Sequence, residues 1–452
     1  MDRIEQLEPT GLFGANVPRY TSYPTAPHFS DAFGAAEAGR WLAELPGREP
    51  LSLYLHIPFC ERLCWFCACR TQGVRNPEPV ARYLEVLKAE IGLLAAALGE
   101  RRKVARIHWG GGTPTILSPT QIIDLTGTLR RNFDIAPDAE FSVEIDPTAV
   151  DEAKIDALAL GGMTRASIGI QDFDPAIQRA IGRAQSFDLT ARVVRQLRAA
   201  GIVSLNTDIV YGLPGQTLDG IRASTEAVLS LDPDRVALFG YAHVPWIAKR
   251  QRMIDADTLP GPQARLALVE QTETQFVRAG YQALGIDHFA RPGDSMALAA
   301  RQGRLRRNFQ GYTDDNCEAL IGLGASSIWK LPGGYLQNAP ATAHYAGRVQ
   351  AGHLAVTKGY ALSLEDRVRA AFIERFLCDM SVELGALEKE FGSFVELIRP
   401  DINRALDRFG HWLYWHRGQL RLSPDGKPLA RLIASEFDAF LRGGTARHSQ
   451  AI

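Results

Sequence analysis

The sequence lacks the features that mark membrane proteins and nucleic-acid-binding proteins. None of its apolar runs reaches eighteen residues, so no transmembrane helix is predicted. Lys and Arg number 50 against 51 Asp and Glu, which gives a formal net charge of −1, and no block of like charge stands out. Because a basic stripe is the usual electrostatic footprint of nucleic-acid binding, we expect no nucleic-acid partner.

Cysteine is scarce, and most of it lies in one place. The chain has six cysteines, and four of them fall within C-E-R-L-C-W-F-C-A-C at 60–69. The other two, Cys317 and Cys378, stand alone and are interpreted as small apolar core residues. The N-terminal M-D-R-I-E-Q-L-E is acidic and polar, unlike a secretory signal, so we expect a reducing, cytoplasmic compartment without disulfides.

The cysteine-rich segment predicts a metal centre. Thiolates suit iron–sulfur clusters and zinc, and an apolar run at 51–59 leads directly to Cys60, Cys64 and Cys67. Structural zinc usually takes two separated C-x2–4-C pairs, and the chain has no second pair. Three ligands on a four-iron cluster leave one iron open, so the spacing favours a reactive iron–sulfur centre over zinc.

Beta-rich apolar runs alternate with helical segments along the first half of the chain. The runs lie at 51–58, 104–109, 140–146, 165–170, 202–210 and 235–241. This alternation predicts βα units and a parallel sheet, so the fold class is α/β. Several of these strands end in polar or glycine-rich turns, such as G-G-G-T-P at 110–114, and the carboxyl ends of barrel strands are where active sites form.

The sequence predicts three regions, at 1–50, 51–345 and 346–452. The first is rich in Pro, Gly and aromatic residues and is expected to be an irregular arm over the mouth of the barrel. The second contains the barrel and its completion. The third begins a separate subdomain with amphipathic helices, in which Ser363 and Asp366 form a candidate capping box.

The third region also predicts a winged-helix-like shape. The stripe Leu364, Val368, Phe372 and Phe376 is expected to be buried. A hairpin is predicted at 412–422 with its turn near Gly418, followed by a helix at 428–441. Such shapes often bind DNA, but without a basic stripe a packing or lid role is favoured.

The motifs together carry a family resemblance. C-x3-C-x2-C after H-I-P-F, followed by W-G-G-G-T-P at 109–114 and the polar strand ends, resembles the radical S-adenosylmethionine (SAM) enzymes. The additional Cys69, P-R-Y-T-S-Y-P-T at 18–25 and R-N-F-Q-G-Y-T at 307–313 are similar to the oxygen-independent coproporphyrinogen III oxidase family over nearly the whole length. The resemblance implies a partial, six-unit TIM-like barrel with an N-terminal arm and a mainly helical, winged-helix-like C-terminal subdomain.

The resemblance also implies the cofactors and their residues. Cys60, Cys64 and Cys67 would hold a [4Fe–4S] cluster whose open iron binds SAM, and Cys69 would not be a ligand. Glycines at 110–112 let the backbone approach SAM closely. The first SAM would contact Tyr54, Gly111, Glu144 and Ile328. A second SAM would contact Phe66, Gly112, Thr113, Gln171, Arg183, Asp208 and Ala242.

The implied activity is the oxidative decarboxylation of coproporphyrinogen III to protoporphyrinogen IX, in haem biosynthesis. The implied partner is a low-potential electron donor such as flavodoxin or ferredoxin, and a monomer is expected. Arg19 and Arg307 are candidate clamps for the substrate carboxylates, whereas His56 and His108 are interpreted as hydrogen-bonded core residues. A haem chaperone and a haem-modifying radical SAM protein remain alternatives, although the arm and Cys69 favour the oxidase.

Overall fold

A twelve-stranded open sheet forms the centre of the computed structural model, which describes residues 3–441 and 448–452. All six predicted strands are present, and each pairs in parallel with the next along the chain. They are Leu51–Ile57, Lys103–Gly111, Asp134–Ile145, Arg165–Gln171, Ser204–Tyr211 and Arg235–Gly240. The prediction of an α/β partial barrel is therefore confirmed.

Short strands that the sequence analysis did not predict extend both edges of the sheet. Ala319–Leu323 pairs in parallel with Leu51–Ile57 and is buried throughout. Antiparallel strands continue that edge and also cover the other one, beside Arg235–Gly240. They are Ile328–Leu331, Gly334–Asn338 and Val356–Ala361 on one side, and His288–Ala290 and Gln282–Leu284 on the other. Each of these strands is only three to six residues long, which is too short for an alternation of apolar and polar residues to be recognised in the sequence.

Helices cover the outer face of the sheet. Glu78–Leu98 turns Leu84, Leu87, Ile91 and Leu94 inward at no more than 3% exposure each, as the helical spacing predicts. Burying a side chain of this size contributes about 1.5–3 kcal/mol. The other barrel helices are Pro119–Asn132, Glu152–Leu160, Pro175–Ala180, Phe187–Ala199, Leu218–Ser230, Pro262–Arg278, Ser295–Arg301 and Thr342–Gln350.

The N-terminal region is less irregular than predicted. It contains the helices Arg3–Leu7 and Ala35–Ala43, the second closed by Glu37 against the backbone N–H of Gly34. Its middle part crosses the mouth of the barrel, where Arg19 Nη2 donates to the carbonyl of Gly240 at a strand end. The placement of the arm over the active site stays a prediction, and this contact of Arg19 agrees with it.

The C-terminal region begins as its capping signal predicts. Ser363 caps Leu364–Asp379, and Asp366 completes the capping box. Val368, Phe372 and Phe376 are fully buried, but the prediction for Leu364 is wrong, because it lies in the first turn and is 50% exposed. The three-region division stays a prediction, although Val356–Ala361 pairs with the central sheet beyond residue 346.

A three-stranded sheet and short helices complete this region. The predicted hairpin is present as Leu413–His416 and Gln419–Leu422, with Gly418 at φ +77°, and Ser381–Glu383 adds a third strand. The predicted helix at 428–441 is limited to Ala430–Ser435, since a 3-10 turn containing Pro428 precedes it. The remaining helices are Leu384–Phe391 and Arg399–Phe409. No helix in the described residues is both long and apolar enough to cross a membrane.

Candidate functional site

The cysteine loop follows the first parallel strand and is held at three points. Phe59–Cys60 pairs with Gln72–Gly73, which closes the base of the loop. Within it, Trp65 N–H donates to the carbonyl of Ile181 at 2.9 Å, and Cys67 N–H donates to that of Cys64. Cys64 is buried, Cys60 and Cys67 are half-buried, Cys69 is accessible from a large cleft, and all four thiols are free.

Positive charge and hydrogen bonds surround these thiols. The hydrogen bond from the Cys69 thiol lowers the pKa of Cys67 to about 6, and the positive charges of Arg250 and Arg183 act in the same direction. Arg183 Nη1 lies 3.6 Å from Cys64 Sγ, and the hydroxyl of Thr113 lies 3.6 Å from Cys60 Sγ. Thr113 and Arg183, which the resemblance assigned to the second SAM, therefore also lie against the cysteine loop.

The donor set suits a [4Fe–4S] cluster. Three free thiols on one loop, with cationic and hydroxyl donors around them, meet the chemical needs of cluster ligands. In the described residues, no three Cys, His, Asp or Glu side chains already converge into a metal-ligand set. The assignment of Cys60, Cys64 and Cys67 as ligands accordingly stays a prediction.

The glycine turn packs directly against the strand that carries the cysteine loop. Gly112 N–H donates to the carbonyl of Ile57 at 2.8 Å, and a Cβ at Gly112 would lie 2.5 Å from the carbonyl oxygen of Phe59. At Gly111, where φ is +109°, a Cβ would lie 2.4 Å from the His56 ring. These two positions thus require glycine even before a ligand is considered.

Glu144 organises the next strand end. Its carboxylate accepts the backbone N–H of Gly111 at 3.0 Å and lies 3.3 Å from His108 Nε2. The His108 ring stacks on Tyr54 at 5.7 Å, and the Tyr54 hydroxyl lies 3.0 Å from His56 Nδ1. His56 is a buried hydrogen-bonded residue, as predicted, while His108 is half-buried and faces Glu144.

The residues assigned to a second SAM surround a neighbouring part of the barrel mouth. Phe66 and Ala242 are joined by Gln251, whose Nε2 donates to the two carbonyls at 2.7 and 3.0 Å. Arg183 Nη2 donates to the carbonyl of Gly169, close to Gln171. Burial raises the pKa of Asp208 to about 6. Sequence reasoning missed the fully buried Gln251, because a glutamine in a loop carries no motif.

Glu90 is a second residue that sequence reasoning missed. It is fully buried, and its carboxylate accepts from the backbone N–H of Gly324 at 2.6 Å, from Asn338 Nδ2 at 2.6 Å and from the Tyr345 hydroxyl at 2.7 Å. Burial raises the pKa of Glu90 to about 7. These hydrogen bonds fix the turn that leads to Ile328. In the sequence, the sign of this role was a glutamate among the buried positions of the helix Glu78–Leu98.

Arg19 and Arg307 lie together on the far side of the large cleft. Arg307 Nη2 donates to the carbonyl of Arg19 at 3.1 Å, which ties the arm to the segment 306–313. Phe309, on the same segment, contacts the ring of Tyr54 edge-on at 5.4 Å. The cleft is therefore lined both by Cys69 of the cysteine loop and by the two arginines.

Comparisons with known proteins agree with this geometry. Residues 54–228 match the family model described as the radical SAM superfamily. An oxygen-independent coproporphyrinogen III oxidase from Paracoccus denitrificans is 50% identical over 452 residues, which is all of both chains. The chain belongs to the oxygen-independent coproporphyrinogen III oxidase family.

More distant members of the family cover almost as much of the chain. A relative of the same name from Helicobacter pylori is 38% identical over 96% of each chain. The solved coproporphyrinogen III oxidase from Escherichia coli, described as a radical SAM enzyme, superimposes with a TM-score of 0.89 at 35% identity. It covers 94% of this chain and all of its own length, so the shared fold extends over nearly the whole chain.

Proposed function

We propose that the chain decarboxylates coproporphyrinogen III oxidatively to protoporphyrinogen IX, converting two propionate side chains to vinyl groups. Each conversion removes one hydrogen atom, one carbon dioxide and one electron from a propionate. The observation that carries the proposal is the cleft, in which an accessible Cys69 and Phe309 lie near the Tyr54 and Glu144 region and open toward two arginines. Full-length relatives of that name support it.

The family uses a [4Fe–4S] cluster and SAM, which when bound supply the electron and the 5′-deoxyadenosyl radical that abstracts the hydrogen atom. Cys60, Cys64 and Cys67 would hold the cluster. Thr113 and Arg183 support two of the three sulfurs through contacts at 3.6 Å.

The remaining strand ends would bind SAM. Glu144, held by Gly111 N–H, has a carboxylate suited to an ammonium group or to ribose hydroxyls. Tyr54 and Ile328 would complete this first site. Phe66, Gly112, Gln171, Asp208 and Ala242, with Thr113 and Arg183, would form a second SAM site.

The electron for the cluster would come from a low-potential protein such as flavodoxin or ferredoxin. The enzyme would act as a monomer in the cytoplasm, without nucleic acid or membrane insertion. The near-neutral net charge supports the absence of a nucleic-acid partner, and the free thiols support a reducing compartment. The haem chaperone alternative gains no support from the relatives described above, which are all named as coproporphyrinogen III oxidases.

An anaerobic assay tests the reaction. The reconstituted protein, incubated with SAM, a reductant and coproporphyrinogen III, is expected to yield protoporphyrinogen IX together with 5′-deoxyadenosine, both measured by chromatography. SAM cleavage that does not depend on the substrate, or consumption of haem in its place, would overturn the proposal.

Iron analysis tests the cluster in the same preparation. We expect about four irons per chain, and far less iron in Cys64→Ala. Cys378→Ala is the matched control, because Cys378 is buried in the C-terminal region and should not change the iron content. Zinc in place of iron would contradict the cluster assignment.

A further inference from the structure

The lining of the large cleft combines two kinds of side chain. Its volume is about 800 Å³, which lies within the range of small-molecule sites. Cys69, from the cysteine loop, and Phe309 line it, and Phe309 contacts Tyr54. Six of the described arginines also line it, and four of them are Arg19, Arg265, Arg307 and Arg431.

The positive charge of these four arginines is only partly balanced by the acidic side chains around them. Asp287 is the acidic side chain that interacts electrostatically with Arg19, Arg307 and Arg431. Its carboxylate also holds His288 Nδ1 at 2.6 Å. Burial alone would raise the pKa of Asp287, but attraction from His288, Arg307 and Arg19 lowers it to about 2. Asp287 therefore carries a negative charge at neutral pH.

Three other acidic side chains line the cleft, of which Asp425 is exposed and the other two have basic partners. Glu270 pairs with Arg3 at 2.9 Å, and Glu273 pairs with Lys427 at 2.7 Å. Because Glu270 and Glu273 pair with other basic residues, the four arginines keep an excess of positive charge.

Two of the four arginines have a structural task. Arg265 donates to the carbonyls of Gly212 and Tyr241 and to a main-chain oxygen of Ile452, the last residue of the sequence. Arg431 donates to the carbonyls of four residues in the arm and the C-terminal segment, namely Val17, Pro18, Gln450 and Ala451. The internal carbonyls satisfy N–H groups, but as neutral partners they do not cancel the charge.

The other two arginines keep donors for a ligand. Arg307 is 7% exposed, and its Nε and Nη1 are buried without a hydrogen-bond partner, Nη1 lying 4.0 Å from Asp287. Its guanidinium lies over the Tyr312 ring at 4.5 Å, which fixes its plane. Arg19 bonds the carbonyl of Gly240 through Nη2. A planar guanidinium with a free edge is suited to a carboxylate.

We propose that Arg19 and Arg307 form a carboxylate-binding subsite for the propionates that the reaction leaves intact. Arg265 and Arg431 fix the surrounding backbone and add positive potential. The inference rests on the proposed function, since it assigns the anionic groups of that substrate to these two arginines.

A binding titration tests the subsite apart from turnover. The full-length protein, reconstituted with its cluster, is titrated by fluorescence with coproporphyrin III and, separately, with coproporphyrin tetramethyl ester, which lacks the charges. Arg19→Gln and Arg307→Gln are each expected to weaken acid binding about tenfold to a hundredfold, the usual effect of losing a charge-assisted hydrogen bond. Binding of the ester should stay within about twofold, which also shows that the cleft is intact.

Controls separate the subsite from the reaction. Arg222→Gln, on an exposed helix, should bind both porphyrins like the wild type. Arg307→Lys, which keeps the charge but loses the planar fork, should give intermediate acid binding. If the wild type makes product but Arg19→Gln and Arg307→Gln bind the acid unchanged, the subsite is wrong and the reaction stands. If the wild type makes no product while acid binding still depends on both arginines, the reaction is wrong and the subsite stands.

Discussion

Two groups of buried and half-buried arginines lie toward opposite ends of the barrel strands, and they differ in what balances their charge. The lower group, near the amino ends, is paired with carboxylates. Arg106 and Arg165 contact Glu140 at 2.9 and 2.8 Å, and Arg235 contacts Asp294 at 2.6 Å. The upper group at the mouth donates mainly to backbone oxygens, and Asp287 is the carboxylate side chain that interacts with three of its four guanidiniums.

The difference separates structure from ligand binding. In the lower group, the attraction between guanidiniums and carboxylates offsets the desolvation energy that their burial costs. A guanidinium cannot release its proton at ordinary pH, so the upper group, which has fewer carboxylates, is suited to an anion from elsewhere. The lower group holds neighbouring strands in register, while the upper group is prepared for an anionic substrate.

Arg235→Met is expected to have the largest effect of the changes that test this comparison. It leaves Asp294 buried without the Arg235 partner, and breaking a buried pair in this way costs about 3–5 kcal/mol of unfolding free energy. Arg307→Met should cost much less, because Asp287 keeps His288 as a partner. Urea denaturation of the three proteins measures both values.

An exposed pair supplies the control for that measurement. Arg222→Met removes contacts to Asp219 and Glu226 on the surface, where ion pairs contribute about 0–1 kcal/mol. Equal losses in Arg235→Met and Arg307→Met would remove the distinction between the two groups.

The sequence predicted much of the barrel and little of this electrostatic contrast. The six long strands and the Ser363 cap follow from local patterns. The partners of Arg235 do not, since Asp294 is 59 residues away and the pair exists only after the sheet has formed. For the same reason, the motif R-N-F-Q-G-Y-T, which begins at Arg307, indicated the protein family but not that two nitrogens of Arg307 lack hydrogen-bond partners. Gln251 belongs to no motif, so nothing in the sequence indicated its role.

Glu90 is a buried acidic side chain that is held by neutral hydrogen-bond donors. It has no basic side chain among its bonded partners, and burial raises its pKa from 4.5 to about 7. The native state therefore retains a proton that the unfolded state releases between these values. The stability that this proton contributes is complete below about pH 4.5 and is lost as the pH rises through about 7.

We expect the wild type to lose on the order of 3 kcal/mol of unfolding free energy across that window relative to Glu90→Gln. The measurement is urea denaturation of both proteins at pH 5 and pH 7.5. Glu85→Gln, an exposed position on the same helix, should follow the wild type. A constant difference between wild type and Glu90→Gln at the two pH values would show that Glu90 is ionised in the folded protein throughout.

A smaller effect on global stability than that of Arg235→Met is expected for Arg431→Gln, which divides the upper group into its two tasks. The four carbonyls that Arg431 bonds belong to the arm and the C-terminal segment, so its loss should cost about 1–2 kcal/mol. Amide exchange should accelerate at Val17 and Ala451, whose N–H groups bond across these two segments, and Arg307→Gln should leave both amides protected. If Arg307→Gln exposed these amides as strongly as Arg431→Gln, Arg307 would share the structural task and the proposed division of the cluster would fail.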